Sequence, residues 1–445
     1  MSLNDIIQID VTQVAPGISA AGFGTPLVLS YNASFVGRTK SYTSAAEVAV
    51  DYPTLYSAER LCLNAMFAQS PAPKVIKVGK CLLKPTMRYK ISAITPTSFA
   101  STEYKLIVKG ASYNQTVTFT SDASPTDAEW AAAAVAALNA VVGKNYTASG
   151  ASSPISVTAT NPGDFVSIEV TNRSLMSLEV DHADPGIATD LANIALEDSD
   201  FFSLVPTQFS DAMIASAAAW ALTNKRLFLF STPNTKAVTT VVGTGTDPID
   251  AVKTVGNRFA SGWFHPSPAD FLTAAVNARC LPTDPGSETW FAKQLEGVSP
   301  VVLTPTERAN LVAKYGNSYE DIRGVRITFD GRVSNGSYID IQRGLLWLID
   351  TIQVDFFNFT VAASAAGKVG FDQQGRAALL SVYRSAMKKG IARGFVADGS
   401  VEITMLEVID VPSGDKANRH YPDTTIAFTA LGAIQSADVS LVMSV

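Results

Sequence analysis

Both ends of this chain carry the alternation of a half-buried strand. Chain termini are usually polar and frayed unless something ties them down. Here Ile7, Ile9 and Val11 alternate with Gln8, Asp10 and Thr12, and Val439, Leu441, Met443 and Val445 are spaced by Ser440, Val442 and Ser444. Period-2 alternation places one set of side chains on a single face of a strand. A strand that runs to the end of a chain needs a sheet to join. Either the protein's own sheet takes these strands, or they are arms that add to a neighbouring subunit, and the chain is a building block of an assembly.

At 445 residues the chain exceeds one ordinary domain, and about 150 residues per domain points to two or three. Apolar residues make up 47% and charged residues 17%, below the roughly 25% charged of typical soluble proteins. Such a surface has little to discourage association. The net charge of -6 and the pI near 5.2 argue against general nucleic-acid binding, which needs a basic stripe to displace counterions. No unbroken run of about 18 apolar residues occurs, so no direct membrane insertion is expected. Asp5 and Asp10 stand where a signal peptide would be basic and apolar, so assembly in a cytoplasm is expected. Cys62, Cys81 and Cys280 form no metal-binding spacing and read as reduced structural thiols.

The pattern predicts an α/β (α+β) multidomain chain. Residues 1–20 form an N-terminal arm and 21–83 the first part of a mixed-sheet core, with a strand at 25–30, helices at 44–50 and 53–69, and a strand at 74–80. Residues 84–183 are rich in Ser, Thr and Asn and break into short alternating runs around an alanine-rich helix opened by Ser124-Pro125-Thr126-Asp127, with Pro125 read as its first residue. They read as an inserted β-rich α+β domain. The α/β rhythm resumes over 184–425, the main core, with helices at 187–197, 209–223, 268–279, about 340–354 and 372–393, and an apolar strand at 226–230. Trp290 to Leu295 reads as helical, and strands are expected at 400–410 and 425–431. Residues 426–445 make the C-terminal strand and arm.

Reactive groups do not converge. His182, His265 and His420 are the three histidines, and none has metal-ligand spacing. Glu197-Asp198-Ser199-Asp200 lacks the spacing of a calcium loop and reads as a helix-end turn. Gly243-Thr244-Gly245-Thr246 has neither a third glycine nor Gly-Lys-Ser/Thr, so a phosphate cradle is not expected. No Gly-x-Ser-x-Gly elbow is present. No catalytic residue, cofactor or metal is predicted. Arg323, Arg326, Asp340 and Arg343 are candidate subunit-interface charges; Asp340 and Arg343 lie three apart on a predicted helix and could equally pair with each other.

Taken in order, several segments resemble the tail sheath proteins of contractile-tailed bacteriophages. They are Asp10-Val11-Thr12 with Ala20-Ala21-Gly22-Phe23-Gly24-Thr25-Pro26-Leu27, the Ser70-Pro71-Ala72-Pro73-Lys74 step, and Leu196-Glu197-Asp198 to Phe201-Phe202. Asp284-Pro285-Gly286-Ser287 with Trp290, Gly324-Val325 to Phe329, Gly331, and Gly336 to Asp340 with Arg343-Gly344 follow. The similarity is weakest over 84–181. The resemblance implies a virion subunit that stacks as hexameric rings around a tail tube protein. It implies contraction that drives the tube into a bacterium, contacts with baseplate and tail terminator proteins, and arms that exchange strands. It places the inserted domain at the outer surface. Another viral tail or baseplate protein and an enzyme with an unrecognised site are the alternatives.

Overall fold

A computed structural model of the chain describes residues 22–94 and 100–436. These fall into two compact units, residues 22–343 with 433–436, and residues 344–432. The alternating segments at Ile7–Val11 and Val439–Val445 lie outside the described residues.

The larger unit starts with β1 (Pro26–Ser30), β2 (Thr39–Tyr42) and β3 (Ile76–Lys80). The chain then leaves for the inserted domain, which contains β4 (Arg88–Ala93), β5 (Glu103–Gly110), β6 (Tyr113–Thr120), β7 (Tyr146–Ser149), β8 (Ile155–Ala159), β9 (Val166–Val170) and β10 (Met176–Val180). It returns as β11 (Ser203–Pro206), β12 (Leu227–Thr232) and β13 (Ala260–Phe264). The core sheet runs β13-β12-β11-β1-β3-β2. Every neighbour pair is parallel except β2 with β3.

A parallel sheet is covered on both faces, so its strands read as continuous apolar runs. Leu27-Val28-Leu29 and Leu227-Phe228-Leu229-Phe230 are fully buried for that reason. Alternation then sorts the side chains. Leu27 and Leu29 join Leu191 and Ile194 of the helix Ile187–Glu197 and Met213 and Ala217 of the helix Asp211–Asn224. Val28, Val78 and Val205 point the other way, onto Cys62 and Met66 of the helix Ala58–Phe67 and Ala274 and Ala278 of the helix Leu272–Cys280.

The inserted domain has its own core, in which Trp130 of the helix Asp127–Asn139 packs on Tyr104 and Phe119. Its strands form the ladders β10-β4-β8-β7 and β6-β5-β9. The helix begins two residues later than the sequence suggests. Thr126 caps it in a reciprocal box with Glu129, which leaves Pro125 outside the first turn.

The domain is firmly attached to the core. Arg173 pairs with Glu307 at 2.6 Å and donates to the Val302 carbonyl at 2.7 Å. Phe165 stacks on Phe271, and Thr235 exchanges two hydrogen bonds with the Leu178 backbone.

Residues 344–432 are a separate body, where the sequence pattern had joined them to the core. The helix Ile339–Ala366 crosses the boundary between the units and runs past the expected stop near 354. No proline interrupts it, and Gly367 ends it at φ +138°. Among the described residues it is the one helix long and apolar enough to cross a membrane by length and composition. Core helices of globular proteins pass the same test, and Trp347 and Leu348 on this helix are buried in the protein. Asp355 on it pairs with Lys389 of the helix Gln373–Ala392. A two-stranded ladder, β16 (Glu402–Thr404) with β17 (Thr425–Ala427), completes the unit. Backbone bonds continue the pairing between Ala397 and Thr429 and between Leu431 and Phe395.

Candidate functional site

Several segments far apart in sequence meet around one buried arginine. Arg343 is 1% exposed, and its Nη1 donates to Glu288 Oε1 at 2.6 Å. Its Nη2 faces three carbonyl oxygens, of Phe23 at 3.1 Å, Leu281 at 2.8 Å and Thr283 at 2.9 Å. The guanidinium also lies over the Phe202 ring, which packs on Phe23. Trp290 donates its indole N–H to the same Glu288 oxygen at 3.3 Å. A planar fork with five donors suits this task in a way an ammonium does not.

One glycine allows the close approach: Gly331 sits at φ +74°, and a Cβ there would lie 2.8 Å from Trp290 Cβ. Segments near 23, 202, 284–290, 331 and 343 are therefore adjacent in space although far apart in sequence. Their role is to lock the chain just after its N-terminal segment onto the start of the helix Ile339–Ala366.

Arg343 and Asp340 are thus spent inside the chain and are not presented to a neighbour. They do not pair with each other either. Asp340 is buried, and burial together with the nearby Glu288 carboxylate pushes its pKa up to about 6. Arg323 and Arg326 sit differently, at the exposed tip of the hairpin formed by β14 (Ser318–Ile322) and β15 (Val325–Phe329). Arg326 is 61% exposed and only loosely paired with Asp321 at 3.8 Å. The run from Trp290 to Leu295 is not helical, because Ala292 and Lys293 bond to Thr328 beside β15 instead.

The polar clusters that could suggest chemistry are consumed by structure. The amides of Gly243 and Gly245 donate to Asp250 at 2.7–3.0 Å, so the chain's own carboxylate occupies the would-be phosphate cradle. Against the cost of burial, these amides hold the Asp250 carboxyl below its ordinary pKa. Glu197 accepts the backbone N–H groups of Arg38 and Thr39, Asp198 pairs with Lys77, and Asp200 accepts the Gly22 N–H. His265 is buried with its two ring nitrogens against the Ser267 and Ser299 carbonyls. Burial lowers the His182 pKa and raises that of all three buried thiols, Cys280 to about 12, which keeps them protonated and inert. Among the described residues no group of three or more His, Cys, Asp or Glu is placed to hold a metal ion.

No protein-family model and no curated protein sequence matches this chain. Its fold does match solved structures. A chain of the anti-feeding prophage baseplate, six-fold symmetrised, superposes with a TM-score of 0.52 at 11% identity, over 99% of this chain and 98% of that one. The contracted state of the same baseplate gives a TM-score of 0.52 at 10% identity, over 98% and 97%. A sheath tail protein from Desulfitobacterium hafniense superposes more loosely, at a TM-score of 0.49 and 10% identity, over 96% and 100%. The chain therefore shares, nearly end to end, the fold of a subunit of the anti-feeding prophage baseplate.

Proposed function

We propose that this chain is a structural subunit of a contractile tail sheath. In this reading it polymerises as stacked hexameric rings around a tail tube in the virion, and the sleeve shortens to drive the tube through the host envelope. The observation that carries the reading is the fold shared over 99% of this chain with the baseplate subunit. The consumption of each candidate reactive cluster by internal contacts also favours a structural role over an enzymatic one.

The terminal segments 1–12 and 437–445 act as arms that add strands to neighbouring subunits. The smaller unit supplies a fitting acceptor. Its two-stranded ladder is largely exposed, and two strands alone are marginally stable in water. Added strands would satisfy its open edges through main-chain hydrogen bonds, which hold regardless of side-chain detail while rigid bodies shift. Contraction then needs no nucleotide; it is the passage of a lattice between two states of different inter-subunit contact. Arg323 and Arg326 contribute charge to a contact between subunits. Tube, baseplate and terminator proteins are the partners, and the inserted domain lies outermost.

Deletion of residues 1–12 or of 437–445 should abolish polymerisation and leave a folded monomer, read by sedimentation and circular dichroism. Tubes formed by either truncated chain would refute the arms. A second reading, a baseplate component, is favoured by the assembly from which the matched fold comes; it predicts closed rings that do not stack.

A further inference from the structure

The inserted domain leaves one long strand edge open. β6 pairs with β5 along its whole length, from Tyr113 opposite Gly110 to Thr120 opposite Glu103, and among the described residues no strand pairs with its other side. Natural sheets guard such an edge with short strands, charges, proline or a covering segment. Other edges of this chain follow that rule. β2 is four residues long and carries Lys40, β7 is four residues long, and β13 is covered by Asn317, which bonds to Gly262 and Phe264. β6 has none of these guards: it runs for eight residues, Tyr113–Thr120, with no charge, proline or glycine. Asn114, Thr116, Thr118 and Thr120 are exposed, while Val117 and Phe119 face the domain core.

The backbone of β6 is set to receive a strand. Gly110 and Tyr113 close a two-residue turn and form a hydrogen-bonded pair. Such pairs recur at every second residue, so Asn114, Thr116, Thr118 and Thr120 turn their N–H and C=O groups to the open side. A second copy laid antiparallel about a two-fold axis at Val117 matches all four. Asn114 then meets Thr120 and Thr116 meets Thr118, twice over, for about eight hydrogen bonds. The register also keeps the faces sorted, with Val117 against Val117 and Gln115 against Phe119. Charge favours the antiparallel sense. Glu103 and Asp122 stand at the Thr120 end. Lys144 stands at the turn end, where Ser112 donates to Gly143 and Tyr113 to Asn145. Lys109 and Asp164 there are already bound, to Asp270 and Asn161. Each copy's acidic end lies beside the other's Lys144, whereas parallel pairing would set like ends together. We infer that two copies of the chain pair through β6, making one six-stranded sheet β9-β5-β6-β6-β5-β9. Rings stacked in one direction contain no such two-fold axis. The contact therefore stands apart from the ring lattice and the terminal arms and depends on neither.

The test is disulfide trapping in the full chain, whose native thiols are all buried. At the axis, Val117 and its copy form a non-hydrogen-bonded pair with Cα atoms about 4.5 Å apart, within disulfide reach. Thr116 and its own copy stand two residues out of register, about 9 Å apart, beyond that reach. V117C treated with oxidised glutathione should give a linked dimer on a denaturing gel, at least tenfold more than T116C. Adding T116K with T118K to V117C sets lysine opposite lysine on exposed positions and should lower the yield at least tenfold. Equal trapping of V117C and T116C, or trapping unchanged by the lysines, would overturn the inference. Circular dichroism checks that each variant folds. Should V117C disturb the core, a mixture of T116C and T118C chains replaces it. Linkage is then expected between the two and not within either alone; its absence overturns the inference equally. The gel reads the contact whether or not the chain polymerises, so its failure and that of the sheath reading are separate results.

Discussion

Replacement of Arg343 by Met tests whether the buried cluster is the lock that the geometry describes. The guanidinium gives one ion pair at 2.6 Å, with both partners 1% exposed, and serves three carbonyls at 2.8–3.1 Å. Removing one partner of a buried pair leaves an uncompensated charge and costs about 3–5 kcal/mol. Three carbonyls losing their donor push the cost to the upper end, so we expect about 5 kcal/mol. With a urea m-value near 3 kcal/mol/M this moves the midpoint down by roughly 1.7 M. Trp290 is buried and hydrogen-bonded to Glu288, so its fluorescence should report this transition. R343K keeps the charge but not the fork and should recover less than half of the loss. E288M with R343M removes both charges and should recover most of what the ion pair cost. A loss below about 1 kcal/mol for R343M, or a double variant no more stable than R343M, would refute the reasoning.

Other outcomes follow from the same structure. Asp340 titrates near 6 when folded, against an ordinary value of 3.8, so the folded chain binds its proton more tightly than the unfolded chain. Its charge therefore costs nothing below about pH 4, costs more as pH rises towards 6, and levels off above that. D340N should then raise stability at pH 7 by about 2–3 kcal/mol and leave it unchanged near pH 3.5; equal effects at both pH values in urea titrations would contradict this. R173M should leave the inserted domain folded but loosen it from the core, raising amide exchange in β9 and β10 and at 302–307; unchanged exchange would remove the proposed attachment. R323E with R326E should weaken assembly measured by sedimentation without lowering stability in urea by more than about 0.5 kcal/mol, because both side chains are exposed.

Local pattern was enough to read an α/β core built on a mixed sheet. The runs at 25–30 and 226–230 are continuous because both faces are buried, and the helix at 187–197 carries a clean apolar stripe. The shift to short alternating strands over 84–183 marks a segment whose strands build a core cluster of their own. What stayed hidden were relations across long separations. The sequence order of Phe23, Phe202, Glu288, Trp290 and Arg343 says nothing of their meeting. An Asp and an Arg three apart on a helix suggested subunit-interface charges or a pair with each other, whereas both are buried and Arg343 serves Glu288 and three carbonyls. Lys314 is similar: it is wholly buried, 2.7 Å from Asp247 and bonded to carbonyls of Lys236 and Ala237, a site that no local periodicity marks. The short strand β2 escaped because Thr39-Lys40-Ser41-Tyr42 is polar and pairs along an edge. The separate unit at 344–432 was missed because a helix without proline runs across its boundary.

The most direct test of the central claim is negative-stain electron microscopy of the intact purified chain. The account predicts hollow, striated cylinders with six-fold end views. Uniform small particles across the accessible concentration range would contradict a self-assembling sheath subunit.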